Sequence, residues 1–386
     1  MAGTDADLTR IRAEVGAALD DFIGRQCGSL ASISGDLVPC ADAITELMVG
    51  GKRLRPAFCY WGWRALGGAD GPPIFAAAAA LELLHASALV HDDVMDASDT
   101  RRGQPAVHRR FAAQHAAAGW RGSADSFGSG AAILVGDLLL AWTDEMLRAS
   151  GLPPAAVRRG LAVLDSMRTE VFAGQFLDLV AQASSASAVD AAMVVVTYKS
   201  AKYTVERPLH LGAALASAPG QVGSERGRHP DRGGSRGKGH PGPGSRRNGG
   251  MAVNHAFSGY GIPVGIAFQL RDDILGVFGD PARTGKPVSD DLREGKRTVL
   301  LAIARERSGH RQSRVLDRSV GDPGLSEDTA DEVRAVITGT GALAECEQLI
   351  DGYVKEGLSA LDAAPITAEA KDALADLAIA ATARKD

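Results

Sequence analysis

With 386 residues and 45% apolar side chains, the chain can bury a substantial core, in one large domain or two. Its net charge of −5 speaks against a dedicated nucleic-acid binder, and its four scattered cysteines (Cys27, Cys40, Cys59, Cys346) lack metal-ligand spacing and read as reduced thiols of a cytoplasmic protein. No signal peptide opens the chain, and its most apolar stretch, 74–90, contains Glu82 and His85 and is too short and too polar to span a membrane.

Leu8, Ile11, Val15, Leu19 and Phe22 follow helical spacing, which predicts an amphipathic first helix. Gly50-Gly51 ends a second helical pattern, and Pro56 suits the first turn of a third. Pro72-Pro73 precede a long Ala/Leu helix that runs into a group of aspartates. Residues 115–130, rich in Gly, Ser and Ala, read as a loop. The helical pattern returns over 131–147, where Asp137 in an apolar run is expected as a buried hydrogen-bonding residue. It continues over 158–184, 191–217, 257–278 and 298–307, and in the Ala-rich C-terminus. No strand-and-turn rhythm and no fixed repeat are present, so the expected fold class is all-α.

One segment stands apart. Residues 219–250 hold eleven Gly, four Pro, seven Arg or Lys and two acids, with Val222 as the only large apolar side chain. Such a composition cannot bury a core and is expected as a disordered insertion or a reading-frame disturbance.

Two acidic groups carry the chemistry. The first is His91-Asp92-Asp93-Val94-Met95-Asp96, followed by Arg101-Arg102-Gly103; the second is Gln269 with Asp272-Asp273, followed by Lys286 and Lys296. Asp92 and Asp96 are four apart and share a helix face, with Asp93 beside them. Carboxylates this dense need a cation, and Mg²⁺ suits them because it is usually shared between a few carboxylates and substrate phosphates. The neighbouring Arg and Lys bind the same phosphates.

In order along the chain stand Gly50-Gly51-Lys52-Arg53-Leu54-Arg55-Pro56, the first aspartate motif with Arg101-Arg102-Gly103, and Gly174-Gln175 with Asp178. Lys199-Ser200, Phe268-Gln269 through Asp272-Asp273, Gly285-Lys286-Pro287 and Gly295-Lys296 follow. This ordered set resembles the trans-isoprenyl diphosphate synthases, most closely those making geranylgeranyl diphosphate. The resemblance implies the isoprenoid synthase fold, a helical bundle around a central cavity spanning the whole chain as a single domain, and a homodimer.

The resemblance also implies a reaction. An allylic diphosphate is held through Mg²⁺, three ions in all, by Asp92, Asp96 and Asp272, with Asp93 and Asp273 completing the catalytic acids. Arg101, Lys199, Lys286 and Lys296 stabilise the departing pyrophosphate. Isopentenyl diphosphate, held by Lys52, Arg55, His85 and Arg102, attacks the allylic cation; Gln269 and Ser200 match family positions beside the substrates. His91 is expected to pack or hydrogen-bond next to the metal site, and Arg384-Lys385 to form a basic tail.

Leu84, Ser87 and Ala88 precede the first motif where short-product synthases carry Phe or Tyr, which favours a C20 product over longer chains or farnesyl diphosphate. Two departures from the family pattern exist: Gly276 stands where the second motif usually ends in Asp, and the 219–250 segment interrupts the helices before it. A class I terpene synthase would carry a different second metal motif and no isopentenyl site. A non-catalytic partner subunit would usually lose the aspartates.

Overall fold

Prolines and short polar caps mark where several of the helices begin. In the computed structural model, which describes residues 2–184, 188–216, 244–279 and 290–383, α1 (Ala2–Ile33) is followed by α2 (Val38–Leu47), α3 (Leu54–Arg64) and α4 (Pro72–Met95). Proline occupies the first turn of both α2 and α4, where its missing N–H costs no helical bond. Past α4 the chain makes a small hairpin, Thr100–Arg101 against Gln104–Pro105, the one strand pair among the described residues.

Helices α5 (Val107–Ala118) and α6 (Ala124–Arg148) correct the loop expected over 115–130. Only a short turn separates them, made by left-handed Gly119 and by Ser123, whose hydroxyl accepts from the Ser126 amide. Alanine-rich sequence there forms helix despite its low apolar contrast. Next come α7 (Pro154–Ala183), α8 (Val189–Val195), a π-helical segment (Val196–Glu206) and α9 (Arg207–Ala216).

Of the expected insertion, 219–243 lie outside the described residues, whereas 244–250 belong to α10 (Gly244–Phe278). The chain ends with α11 (Asp290–Arg293), α12 (Val299–Arg307), α13 (His310–Ser319), α14 (Glu327–Gly339), α15 (Ala342–Asp362) and α16 (Ala368–Thr382).

Buried apolar side chains form two clusters. One joins α1 to α7, α9, α16 and the first half of α10 through residues such as Phe58, Leu83, Leu139 and Tyr260. The other joins the second half of α10 to α12, α14 and α15 through Leu270, Ile274, Leu301 and Ile337. Each such side chain stabilises the fold by about 1.5–3 kcal/mol relative to exposure. Helix α10 runs through both clusters, and its second-motif aspartates lie on the stretch that packs into the second.

The expectation about membrane-length segments needs correction. Among the described residues two helices, Pro72–Met95 and Ala124–Arg148, are long and apolar enough to cross a membrane. The first is a core helix, with 72% of its most apolar window buried inside the protein, because its own Ala and Leu side chains make nearly every face apolar. The second is only 39% buried over its window.

Candidate active site

Helices α4, α7, α10 and the π-helical segment enclose a cavity of about 410 Å³. Asp92 from α4 and Asp272 and Asp273 from α10 line it together, so the two acidic groups meet across one space. Below them the wall is apolar, with Ala88, Leu89, Val171 and Phe172.

The π segment places the lysine between the acids. Slower winding of this kind recurs at functional sites. Two glycines let neighbouring helices close on it: a Cβ at Gly174 of α7 would lie 2.4 Å from the Lys199 amide nitrogen, and one at Gly265 of α10 would lie 2.5 Å from Ala201 Cα. Lys199 Nζ reaches Asp178 Oδ2 at 2.6 Å and Asp92 Oδ1 at 3.3 Å, and Gln175 Nε2 donates to the same Asp92 oxygen at 2.8 Å. Burial alone would raise the Asp92 carboxylate, but Lys199, Lys296 and Arg101 outweigh it and hold it below its ordinary value. Ser200 lines the cavity beside Lys199.

Asp93 does not face the cavity. It is buried, and the Arg101 guanidinium grips both of its oxygens, with Nε 2.9 Å from Oδ1 and 3.2 Å from Oδ2. Asp93 thus positions Arg101, which does line the cavity, instead of acting on substrate as a catalytic acid. Asp96 caps the end of α4; burial and the neighbouring Asp92 push its carboxyl up to about 6, and its Oδ1 is a buried atom with no partner.

On the opposite side, Gln269 Nε2 donates to Asp273 Oδ1 at 2.8 Å, while Asp273 Oδ2 is buried without a partner. Burial, followed by Asp291 and Asp272, drives the Asp273 carboxyl up to about 8. Asp272 is more exposed and faces the cavity. Burial opposes the charge on Lys296, but Asp291 and Glu294 outweigh it and hold its pKa well above the usual lysine value. Its Nζ lies 2.9 Å from Asp291 Oδ1 and 2.5 Å from Glu294 Oε2. Lys286 and the Arg384-Lys385 tail lie outside the described residues.

A second basic group adjoins the cavity. Arg55 Nη2 donates to Thr204 Oγ1 at 3.0 Å, and its guanidinium carbon sits 4.3 Å from the centre of the Tyr203 ring. The Tyr203 hydroxyl is 3.4 Å from His85 Nδ1. Burial, then Arg55, Arg102 and Arg101, keep His85 well below the ordinary histidine value, so it is neutral at pH 7. Lys52, just before α3, and Arg102, in the turn of the small hairpin, are exposed and stand outside the cavity wall. Arg102 donates to the carbonyls of Val49 and Leu47 at 3.2 and 3.4 Å.

Other residues were not singled out from the sequence. Arg53 is held at a left-handed φ of +50° and buried, with Nη1 2.6 Å from Glu82 Oε2 and Nη2 2.6 Å from the Met48 carbonyl. This pair ties the Lys52–Arg55 loop to α4 one turn before His85. Glu82 was visible as a lone acid in an apolar helix; Tyr203 and Asp291 had no such signal.

The expected tail-length residues separate. Ala88 lines the cavity, whereas Leu84 and Ser87 are fully buried behind the wall. Ala88 lies four residues before Asp92 and shares its face; Ser87 is turned by one further residue, about 100°. Asp137 is exposed, contrary to expectation, because the apolar residues beside it on α6 form an outer face. His91 packs where expected, with Nε2 3.2 Å from the Ile133 carbonyl and 3.6 Å from Asp137.

Among the described residues no three acidic, histidine or cysteine side chains converge on one point. A Mg²⁺ ion held here would draw its remaining ligands from phosphate and water. The buried orphan oxygens of Asp96 and Asp273 and the all-carboxylate donor set fit such a hard cation.

An all-helical bundle with facing acidic groups above an apolar-walled cavity defines the isoprenoid synthase class. The family model described as polyprenyl synthetase matches residues 39–226 and 248–337. The geranylfarnesyl diphosphate synthase of Aeropyrum pernix is 31% identical, over 85% of this chain and 88% of its own length. The geranylgeranyl diphosphate synthase of Methanosarcina mazei is 30% identical, over 81% and 80%. The crystal structure of geranylgeranyl pyrophosphate synthase from Corynebacterium glutamicum, complexed with isoprenyl diphosphate and magnesium, aligns with a TM-score of 0.86 at 36% identity, covering 98% of this chain and 99% of that one. The chain belongs to the polyprenyl synthetase family and is a trans-prenyltransferase.

Proposed function

We propose that the protein condenses isopentenyl diphosphate with an allylic diphosphate, head to tail, and releases geranylgeranyl diphosphate. The observation that carries this reading is the meeting of Asp92 and Asp272 across one cavity whose floor is apolar. Asp92, Asp96 and Asp272 would hold Mg²⁺, three ions in the full site, which when bound neutralises the allylic diphosphate as its C–O bond breaks.

The protein's own groups do the rest. Lys199, Lys296 and Arg101 point cationic side chains at the departing pyrophosphate, with Lys286 expected to join them. Arg55 and neutral His85, with Lys52 and Arg102 at the rim, bind the isopentenyl diphosphate so that its double bond faces the allylic carbon. Gln269 and Ser200 pack beside the reacting ends. Carbon–carbon bond formation leaves a cation on the former isopentenyl unit, which loses a proton to the released pyrophosphate. Val171, Phe172 and Leu89 exclude water, which would trap the cation as an alcohol.

Ala88 on the wall favours a tail of twenty carbons or more, so a longer-chain product is the second reading, supported also by the name of the Aeropyrum relative. The break in the family match over 227–247 supports reading the Gly/Arg-rich stretch as an insertion into one domain. The four free cysteines suit a reducing cytoplasm. The outer face of α6 and α7, with Leu134 65% and Phe176 66% exposed, supports a homodimer.

Purified protein with Mg²⁺, labelled isopentenyl diphosphate and farnesyl diphosphate should give a single C20 alcohol after dephosphorylation. A ladder beyond C20 would move the assignment to a long-chain synthase. No product from folded protein, with shorter primers also tried, would refute the reading.

A further inference from the structure

Pro263 interrupts α10 upstream of the second acidic group. It has no N–H for the Gly259 carbonyl, and helices bend at such a point. The end that carries Gln269, Asp272 and Asp273 is therefore not held in line by the first half of its own helix. Asp272 depends on that line more than Asp92 does. Gln175 and Lys199 hold the Asp92 carboxylate, whereas among the described residues no hydrogen bond or ion pair holds that of Asp272. Where Asp272 points is set by how α10 is rolled about its axis.

One side chain is placed to fix that roll. Arg271 is only 11% exposed and lies one residue, about 100° of helical rotation, from Asp272. Its guanidinium grips Glu347 of α15 with both ends of its fork, Nη1 to Oε1 and Nη2 to Oε2, each at 2.6 Å. Its Nε donates to the Thr382 carbonyl at 3.0 Å. Thr382 is the last residue of α16, so this carbonyl is one that a helix leaves unpaired, at the negative end of its dipole, where a cation is favoured. Three helices thus meet on one side chain. Two further ties of α10 to these helices lie beside Pro263 instead. The Tyr260 hydroxyl donates to the Leu374 carbonyl at 2.6 Å, and bare Gly357 of α15 packs where a Cβ would lie 2.7 Å from Val264 Cγ2.

We propose that Arg271 is a positioning residue for the second acidic group. By clamping α10 to α15 and to the end of α16, it sets the roll that aims Asp272 into the cavity. Arg271 does not itself line the cavity and acts through Asp272. On the metal-diphosphate reading above, its loss weakens Mg²⁺-dependent diphosphate binding and leaves the isopentenyl side untouched.

Calorimetric titration of the full-length protein with inorganic pyrophosphate, at a series of Mg²⁺ concentrations, reads the effect. Arg271→Met keeps much of the side chain's length and removes its donors. It should raise the Mg²⁺ concentration needed for half-maximal binding by roughly 10–100-fold. Arg271→Lys keeps the charge but not the fork and should recover part of the loss. In an Asp272→Asn background, Arg271→Met should change nothing further, because the group it aims has already lost its charge. In steady-state turnover kcat should fall while KM for isopentenyl diphosphate stays unchanged. Melting curves establish folding. Should Arg271→Met not fold, Glu347→Gln, which leaves Arg271 on Thr382, takes its place, with a smaller effect of the same sign.

An unchanged Mg²⁺ response in the folded variant overturns the proposal. So does an equal further loss in the Asp272→Asn background, which would make Arg271 a general support of the fold. Asp272→Asn alone separates the two readings. If it keeps the wild-type Mg²⁺ response, the metal-diphosphate reading itself is wrong; if it loses the response and the Arg271 variant does not, only the role of Arg271 falls.

Discussion

Both motifs begin with paired aspartates, yet the protein treats Asp92 of the first and Asp273 of the second in opposite ways. On α4 every acid meets a cation: Glu82 meets Arg53, Asp93 meets Arg101, and Asp92 meets Lys199. On α10 the buried Asp273 meets the uncharged amide of Gln269 and has the acid Asp291 close by. The outcome is a carboxylate held down at Asp92 and a carboxyl pushed up to about 8 at Asp273. Asp92 is thus charged on one side of the cavity, and Asp273 largely neutral on the other. What decides is whether nearby cations outweigh burial: Lys199, Lys296 and Arg101 do so at Asp92, whereas the Gln269 amide does not at Asp273.

The largest expected effect comes from breaking an ion pair on the α4 side. Glu82→Leu leaves the Arg53 guanidinium buried and uncompensated, which should cost about 3–5 kcal/mol of stability. Urea unfolding measures it; a loss below 1 kcal/mol would show that water reaches Arg53 and that the contrast with α10 is overstated.

Next is a paired comparison of isosteric changes. Asp92→Asn removes a charge that exists at pH 7 and should lower kcat by about two to three orders of magnitude. Asp273→Asn removes a carboxyl that is largely protonated there and should cost much less. Steady-state kinetics on both, with melting curves to confirm folding, would break the comparison if the losses were equal.

The pH dependence is a smaller effect. In metal-free protein with EDTA, the folded Asp273 carboxyl binds its proton more tightly than the unfolded one, which titrates near about 3.9. Its contribution to stability is therefore complete below that value and lost as pH rises through about 8. Asp273→Asn should flatten the decline in melting temperature between these limits. An unchanged slope would mean that Asp273 is already ionised at neutral pH.

The smallest change in rate, though visible in product, belongs to Ala88→Phe. It should stop the tail early and shift product from C20 to C15 with turnover retained. The chromatogram after dephosphorylation gives the answer, and an unchanged C20 product would place the growing tail elsewhere.

Much of this was legible in the sequence. Apolar spacing gave α1 and α10, and the ordered basic and acidic motifs gave Asp92, Asp272, Lys199 and Lys296 as neighbours before any coordinates. The errors have physical causes. Residues 115–130 looked like loop because alanine and glycine blur the apolar contrast that periodicity needs, yet alanine is the best helix former. Asp137 looked buried because its apolar neighbours suggested a core, when they form an exposed face of α6. Asp291 stayed hidden because its packing against bare Gly276 joins two helices, a contact that no local pattern announces.

The π-helical segment over Val196–Glu206 has one further consequence, which concerns length. It joins the two halves of the cavity wall, and Lys199 sits inside it. Adding or removing one residue there would turn the lysine by about 100° relative to its helical neighbours and carry it off Asp92. Of the segment's side chains only Tyr198 is exposed; seven of the eleven are buried. The number of residues between α8 and α9 is therefore fixed by the site, and a single insertion or deletion along this stretch should abolish turnover even where every side chain of the cavity wall is kept.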